Sequence, residues 1–302
     1  MRQPYRLITR WENEMAEEIA FAVIGGSGLY SMSGLTNTHE FAPDTPFGTP
    51  SAPIITGDLE GKRIAFLARH GIGHRFSPSE VNYRANIYAL KALGIERIVS
   101  ISACGSLRQE LAPGHIVVPD QLFDHTQLRA RSFFGEGLVA HVGVAQPFCH
   151  QWSSQLIRAI AASGAILHQG GTLITIEGPR FSTRAESELY RAWGMSIIGM
   201  TACPEAFLAR EAEMCYATMA HVTDYDVWHV TEAPVSVDLV IATLNNNTQI
   251  AEKALRFLAK DMQFERPCDC GDALSNALIT SPSAITDSAR ERVSLLVSKY
   301  LN

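Results

Sequence analysis

Short, continuously apolar runs alternate along the chain with longer stretches whose apolar residues recur at helical spacing. Residues 19–24 are unbroken by any polar side chain and run into Gly25-Gly26-Ser27-Gly28, which predicts a buried strand ending in a tight turn. Comparable runs predict strands at 63–68, 97–101, 115–118, 172–176, 196–198 and 215–222. Helical periodicity marks residues 81–93, closed by Gly94 as a C-cap, then 151–162, 184–193, 204–212 and 235–260, with a terminal helix near 283–300. Strands alternating with helices predict one α/β domain, a central and mostly parallel mixed sheet flanked by helices. No internal repeat, low-complexity tract or Pro/Ser-rich linker divides it. Residues 120–146 read as one long loop, a length usually reserved for function. Residues 1–18 stand apart as an N-terminal appendage to a domain spanning 19–302. They alternate arginines with glutamates, lack an apolar core of signal-peptide type, and place Met15 just before the first apolar run.

Composition narrows the classes. Of 302 residues, 46% are hydrophobic and 19% charged, enough for a real core and too apolar for a disordered chain. The net charge of −6 argues against nucleic acid or an acidic membrane as partner, because both demand a basic face. No apolar run reaches the ~18 residues that a membrane span needs. Six scattered cysteines do not make a disulfide scaffold at this length, and a cytoplasmic protein is expected. Cys268-Asp269-Cys270 reads as two reduced thiols in a turn, with a strained redox pair as the alternative.

The candidate chemistry lies where strands end. Gly25-Gly26-Ser27-Gly28 offers backbone N–H groups and a hydroxyl to an anion, yet it is neither a dinucleotide fingerprint nor a Walker loop. Alone, it is equally well a mere turn. Arg69-His70-Gly71 puts an arginine at a strand end, suited to bidentate phosphate binding; alone, a surface salt-bridge arginine is the commoner reading. Ser102-Ala103-Cys104-Gly105 is a third such loop. Three together favour an anion site, since open α/β sheets bind ligands at the carboxyl ends of their strands. Thr223-Asp224-Tyr225-Asp226 follows the apolar strand at 215–222, and its two acids suit a metal site, a general acid or a solvated turn. A metal is disfavoured, because His221 and His229 lack ligand spacing with a third partner, and none is expected. His70, His74, His125, His141 and His150, taken singly, are more often structural. No Gly-x-Ser-x-Gly elbow occurs.

These segments, read in order, closely resemble the methylthioadenosine phosphorylases of the trimeric purine nucleoside phosphorylase family. The resemblance is carried by Ile24-Gly-Gly-Ser-Gly-Leu29, Leu67-Ala-Arg-His-Gly71, Val81-Asn-Tyr-Arg-Ala-Asn86, Ala103-Cys-Gly-Ser-Leu-Arg108, Ile176-Glu-Gly-Pro-Arg-Phe-Ser182, Met200-Thr201 with Pro204-Glu205, and Thr223-Asp-Tyr-Asp226. It covers residues 19 to 260, and the tail beyond 265 adds little.

The resemblance implies phosphorolysis of 5′-methylthioadenosine to adenine and 5-methylthioribose 1-phosphate. Phosphate would sit against Ser27, Arg69, His70, Ser102, the Ala103 N–H and Thr201. Met200 would pack on the sugar, Phe181 near the base, and Thr223 and Ser182 beside it. Asp224 would hold the purine N7, with Asp226 in support. Phosphate is then the co-substrate and no metal or organic cofactor is implied.

Adenine presents N7 as acceptor and N6–H₂ as donor, so a carboxyl at Asp224 can serve both, whereas beside a 6-oxopurine it meets a lone pair. Relatives specific for 6-oxopurines usually carry Asn there and a Glu where this chain has Ser182. Val237 stands where nucleoside-specific relatives have a histidine, and Val237 with Val240 would give an apolar wall for the methylthio group. His141 resembles a residue lent by a neighbouring subunit, implying a homotrimer or a dimer of trimers. Ser27 and Ser102 replace threonines of some members, and Gly199 replaces a familiar Asn. A methylthioinosine or 6-oxopurine nucleoside phosphorylase, or a non-catalytic nucleoside sensor, are the alternatives.

Overall fold

A computed structural model of the chain describes residues 18–25, 32, 34–229 and 237–301, with only the helical backbone of 237–247. The Ser27 turn, residues 1–17 and the side chains of Val237 and Val240 therefore lie outside the described residues.

The strands are β1 (Ile19–Gly25), β2 (Thr36–Phe41), β3 (Ile54–Leu59), β4 (Lys62–Ala68), β5 (Arg97–Ser106), β6 (Ile116–Val118), β7 (Gln121–His125), β8 (Leu167–Gln169), β9 (Thr172–Ile176), β10 (Ile197–Gly199) and β11 (Cys215–Asp224). The helices are α1 (Tyr83–Ala92), α2 (His150–Ala162), α3 (Arg184–Ala192), α4 (Ala202–Glu211), α5 (Val237–Asp261), α6 (Asp287–Arg292) and α7 (Ser294–Val297). All eleven strands join one mixed sheet, ordered β2-β3-β4-β1-β5-β10-β9-β7, with β11 beside β5 and β6. β1, β4, β5 and β11 run parallel, as do β7, β9 and β10; the β5–β10, β6–β11, β2–β3 and β3–β4 pairs are antiparallel. The expected fold class, a mostly parallel mixed sheet in one α/β domain, is what forms.

Both faces of the central strands are covered, which is why β1 is apolar throughout and β11 is buried along its whole length rather than alternating. On one face Ala22 and Ile24 pack with Ile87 and Leu90 of α1, Leu208 of α4 and Leu296 of α7. On the other, Phe21 and Val23 meet Trp152 and Leu156 of α2 and Leu255 of α5. Trp152 also donates its indole N–H to the Ile98 carbonyl (2.9 Å), so a ring too large to bury dry satisfies its donor. α1 begins where Asn82 accepts the Ala85 N–H, and Gly94 (φ +73°) ends it as predicted. α3 opens on a capping box between Thr183 and Glu186.

Three expectations need correction. The long loop at 120–146 contains β7, which extends the sheet beside β9. β2, β3 and β8 went unpredicted. The terminal helix is two short helices, α6 and α7, broken at Val293, whose side chain is fully buried and whose φ of −113° leaves the helical range.

Candidate active site

One feature of the sheet makes the site. Along one edge of β5, β1 pairs only as far as Ser100, and β10 begins to pair at Gly105 from the opposite direction. Between them the β5 edge is left open, while β11 covers the other edge from Arg97 to Gly105. This is a topological switch point, the place where open α/β sheets take ligands. Ser102, Ala103 and Gly105 are half-exposed there, although their strand neighbours are buried.

Arg69 leaves β4 and fills the mouth of this fork. Its guanidinium is buried, donates to the Ile101 carbonyl (3.1 Å), the Ile24 carbonyl (3.2 Å) and the Ser100 hydroxyl (2.7 Å), and grips Glu205 of α4 through Nε (2.8 Å) and Nη2 (2.9 Å). The bidentate fork that the sequence reading assigned to phosphate is thus occupied by Glu205. Nη1 makes a single hydrogen bond, the one to Ile101. Tyr216 of β11 donates its hydroxyl to the same Glu205 carboxylate (2.8 Å), completing a buried network of parts distant in sequence.

His70 follows directly. Its Nδ1 lies 2.9 Å from the Phe76 carbonyl, an acceptor only, so Nδ1 carries the proton and Nε2 is left as a lone pair. Burial, reinforced by the Arg69 charge, holds its pKa down to about 4, and the ring stacks on His74 at 4.2 Å. His70 is therefore neutral at neutral pH. Across the opening, the Ser102 and Thr201 hydroxyls stand 3.3 Å apart, bringing the middle of β5 to the start of α4.

Asp224 closes β11 opposite Gly105, whose missing Cβ would stand 3.0 Å from Oδ1. Its Oδ1 accepts the Asp226 N–H (2.8 Å) and its Oδ2 the Thr223 hydroxyl (2.6 Å). Burial outweighs both bonds and, with the nearby Asp226 charge, pushes the pKa up to about 6. Asp226, with φ at +52°, is buried and raised as well; Ser182 and Ser187 hydroxyls face its carboxylate without closing to a hydrogen bond.

Met200 lies over Gly178, where a Cβ would meet its sulfur at 2.6 Å. Phe181 is 39% exposed on the segment after β9, and the next residue, Ser182, is buried. His141 is exposed; its N–H bonds the Ala277 carbonyl, so its segment follows the C-terminal tail. The structure thus gathers Arg69, His70, Ser102, Ala103, Thr201, Thr223, Asp224 and Asp226 around the fork.

Two partners escaped the sequence reading. Glu205 was seen only as part of a motif. Arg129 carried no signal at all, yet its buried guanidinium bonds the carbonyls of Met200 (2.7 Å), Cys203 (2.6 Å) and Glu177 (2.8 Å) and fixes the segment bearing Met200 and Thr201.

Residues 20–260 match the model of the phosphorylase superfamily. The S-methyl-5′-thioadenosine phosphorylase of Geobacter sulfurreducens is 51% identical over 285 residues, covering 94% of this chain and 100% of the relative. That of Thermofilum pendens is 48% identical over 263 residues, covering 87% and 100%. Among solved structures, a methylthioadenosine phosphorylase from an antarctic soil metagenomic library superposes with a TM-score of 0.88 at 47% identity, covering 93% of this chain and 99% of that one. A methylthioadenosine phosphorylase of Schistosoma mansoni, in complex with adenine, gives 0.81 at 35% identity, covering 89% and 100%. Fold, strand-end chemistry and relatives agree: the chain belongs to the phosphorylase superfamily, in its S-methyl-5′-thioadenosine phosphorylase family.

Proposed function

We propose that this chain phosphorolyses S-methyl-5′-thioadenosine to adenine and 5-methylthioribose 1-phosphate. The observation that carries the reading is the open fork of β5. It sets an anion cradle of His70, Ser102, Ala103 and Thr201 within the same opening as a buried carboxyl whose pKa is near 6.

Phosphate is held by the Ser102 and Thr201 hydroxyls, the Ala103 N–H, the remaining Arg69 hydrogen and Ser27. His70 Nε2 accepts from a protonated phosphate oxygen. A phosphate oxygen forms its bond to C1′ as the C1′–N9 bond breaks, and the bonding pair leaves with the base. Asp224, protonated, donates its proton to N7, so adenine departs neutral; Thr223 and Asp226 hold that carboxyl in place. Because the anion is itself the nucleophile, the protein supplies position and electrostatics, and we expect no metal or organic cofactor to take part in the reaction. Met200 packs on the sugar, Phe181 and Ser182 flank the base, and Val237 and Val240 wall the methylthio group. Burying that group favours it by about 1–3 kcal/mol over a hydroxyl.

The site is completed in a homotrimer by His141 of a neighbouring subunit, its exposure here supporting that reading. Residues 19–302 form the catalytic domain and 1–18 an appendage, which the family match beginning at residue 20 supports. Among the described residues no helix is long and apolar enough to cross a membrane, and we place the enzyme in the cytoplasm.

Base release from methylthioadenosine, methylthioinosine, adenosine and inosine, each with and without phosphate, tests the reading. Phosphate-dependent adenine release, fastest from methylthioadenosine, is expected. Preference for inosine forms would overturn the role of Asp224. Phosphate-independent release would mean a hydrolase, and no release a binding protein.

A further inference from the structure

Four of the six cysteines converge far from the fork. Cys149 is the N-cap of α2, Cys215 the first residue of β11, and Cys268 and Cys270 flank Asp269 where the C-terminal segment enters a single 3₁₀ turn. Their four Sγ atoms all lie within 4.8 Å of one another, and those of Cys215 and Cys268 are 3.4 Å apart. Three of these residues are buried and Cys268 is half-buried.

We infer that Cys149, Cys215, Cys268 and Cys270 form a tetrathiolate site for a thiophilic divalent cation of the zinc class. A tetrahedral zinc with Zn–S bonds of ~2.3 Å sets its sulfurs about 3.8 Å apart, so the sulfurs need to shift by roughly an ångström or less, the Cys215–Cys268 pair outward. The donor set is pure thiolate, which selects soft or borderline cations over magnesium or calcium.

The surroundings are those of an anionic cluster. The Arg210 Nη1 reaches Cys270 Sγ at 3.4 Å, the Trp152 N–H at the start of α2 points to Cys149 Sγ at 3.5 Å, and Arg266 lies against Cys215. Arg210 also pairs with Asp269, and Arg266 with Glu96. Even so, the Nε–H of both arginines is buried without a partner. Four neutral thiols would pack as small apolar groups and give two guanidiniums little in return. Four thiolates around one divalent cation carry a net charge of −2, which two arginines and a helix N-terminus offset. Metal binding releases the thiol protons to solvent and changes no oxidation state.

The clip joins the C-terminal segment to the starts of α2 and β11. Cys215 and Asp224 are the two ends of β11, about 30 Å apart at strand rise, so the metal acts on stability and on tail anchoring rather than on phosphorolysis.

The full chain, purified reduced and without chelator from zinc-supplemented culture, should carry one zinc per chain by elemental mass spectrometry. Cobalt replacement should give thiolate-to-metal charge transfer and the visible bands of a tetrahedral site. Cys268→Ser should lose both, with a lower melting temperature. Substoichiometric zinc with all four thiols reacting freely in the native protein would overturn the inference. So would a non-reduced mass lighter by two hydrogens for each pair, which would mean disulfides instead. If Cys268→Ser does not fold, the cobalt spectrum of the unsubstituted chain decides alone.

Discussion

Asp224 sits where a carboxylate is costly. It is 5% exposed, and two hydrogen bonds do not replace the water it has lost, so its pKa climbs from 3.8 to about 6. The folded state therefore binds this proton more tightly than the unfolded chain. The associated stability is fully present below pH 3.8 and is lost as pH rises through about 6, leaving a penalty of up to about 3 kcal/mol at neutral pH. In the proposed mechanism the same proton goes to N7, so the ionised fraction that destabilises the fold would also be the unproductive one. Asp224→Asn should melt at a higher temperature than the parent near pH 8, with the gap closing toward about pH 4. Its kcat/KM on methylthioadenosine should drop by roughly 10²-fold or more, with inosine forms relatively favoured. The parent's kcat/KM should decline as pH rises through about 6, and the variant should lack that limb. Phosphate titrates in both, so the difference between the two profiles isolates Asp224. Adenine turnover that survives unchanged would remove the residue from the mechanism.

Between elements, the Arg69–Glu205 pair ties the end of β4 to α4 across the fork, and Ser100, Ile24 and Ile101 hold the guanidinium square to the opening. Glu205→Gln leaves a buried cation with no counter-charge, a loss on the order of 3 kcal/mol measurable by chemical denaturation. It should also raise the phosphate KM more than the nucleoside KM, since Thr201 caps the helix that carries Glu205 and Ser102 follows Ile101, whose carbonyl Arg69 holds. Equal changes in both KM values would make the pair a general prop.

β1 was readable because a strand covered on both faces is apolar throughout, and β5 and β11 because their first halves are mostly small or apolar. β2 was not, because five of its six residues are exposed at the sheet edge and its pattern is that of a polar loop. The residues of the cradle were legible as small polar groups at strand ends. Their partners were not: Glu205 is 136 positions from Arg69, and the fork itself arises from where β1 stops and β10 starts, which no local periodicity encodes.

At the scale of the assembly, the proposed pocket, finished by His141 of a neighbour, would make activity a property of the trimer. In such a cyclic trimer each pocket would take Asp224 from one chain and His141 from the next, across a heterologous interface. Consider chains carrying Asp224→Asn mixed with chains carrying His141→Ala. Going round any mixed ring, there is one boundary at which a chain with intact Asp224 meets a neighbour with intact His141. Each mixed trimer, whether two-to-one or one-to-two, therefore holds one native pocket in three. Doubly tagged mixed trimers should recover about one third of the parent kcat/KM, although neither variant alone approaches it. Light scattering should give three times the 33.1 kDa chain mass for parent and mixture alike. Trimers without recovery would keep the assembly but return His141 to the surface. A monomer with full activity would place every catalytic group within one chain, and the wall of the nucleoside pocket would then have to be sought beyond Val237 and Val240.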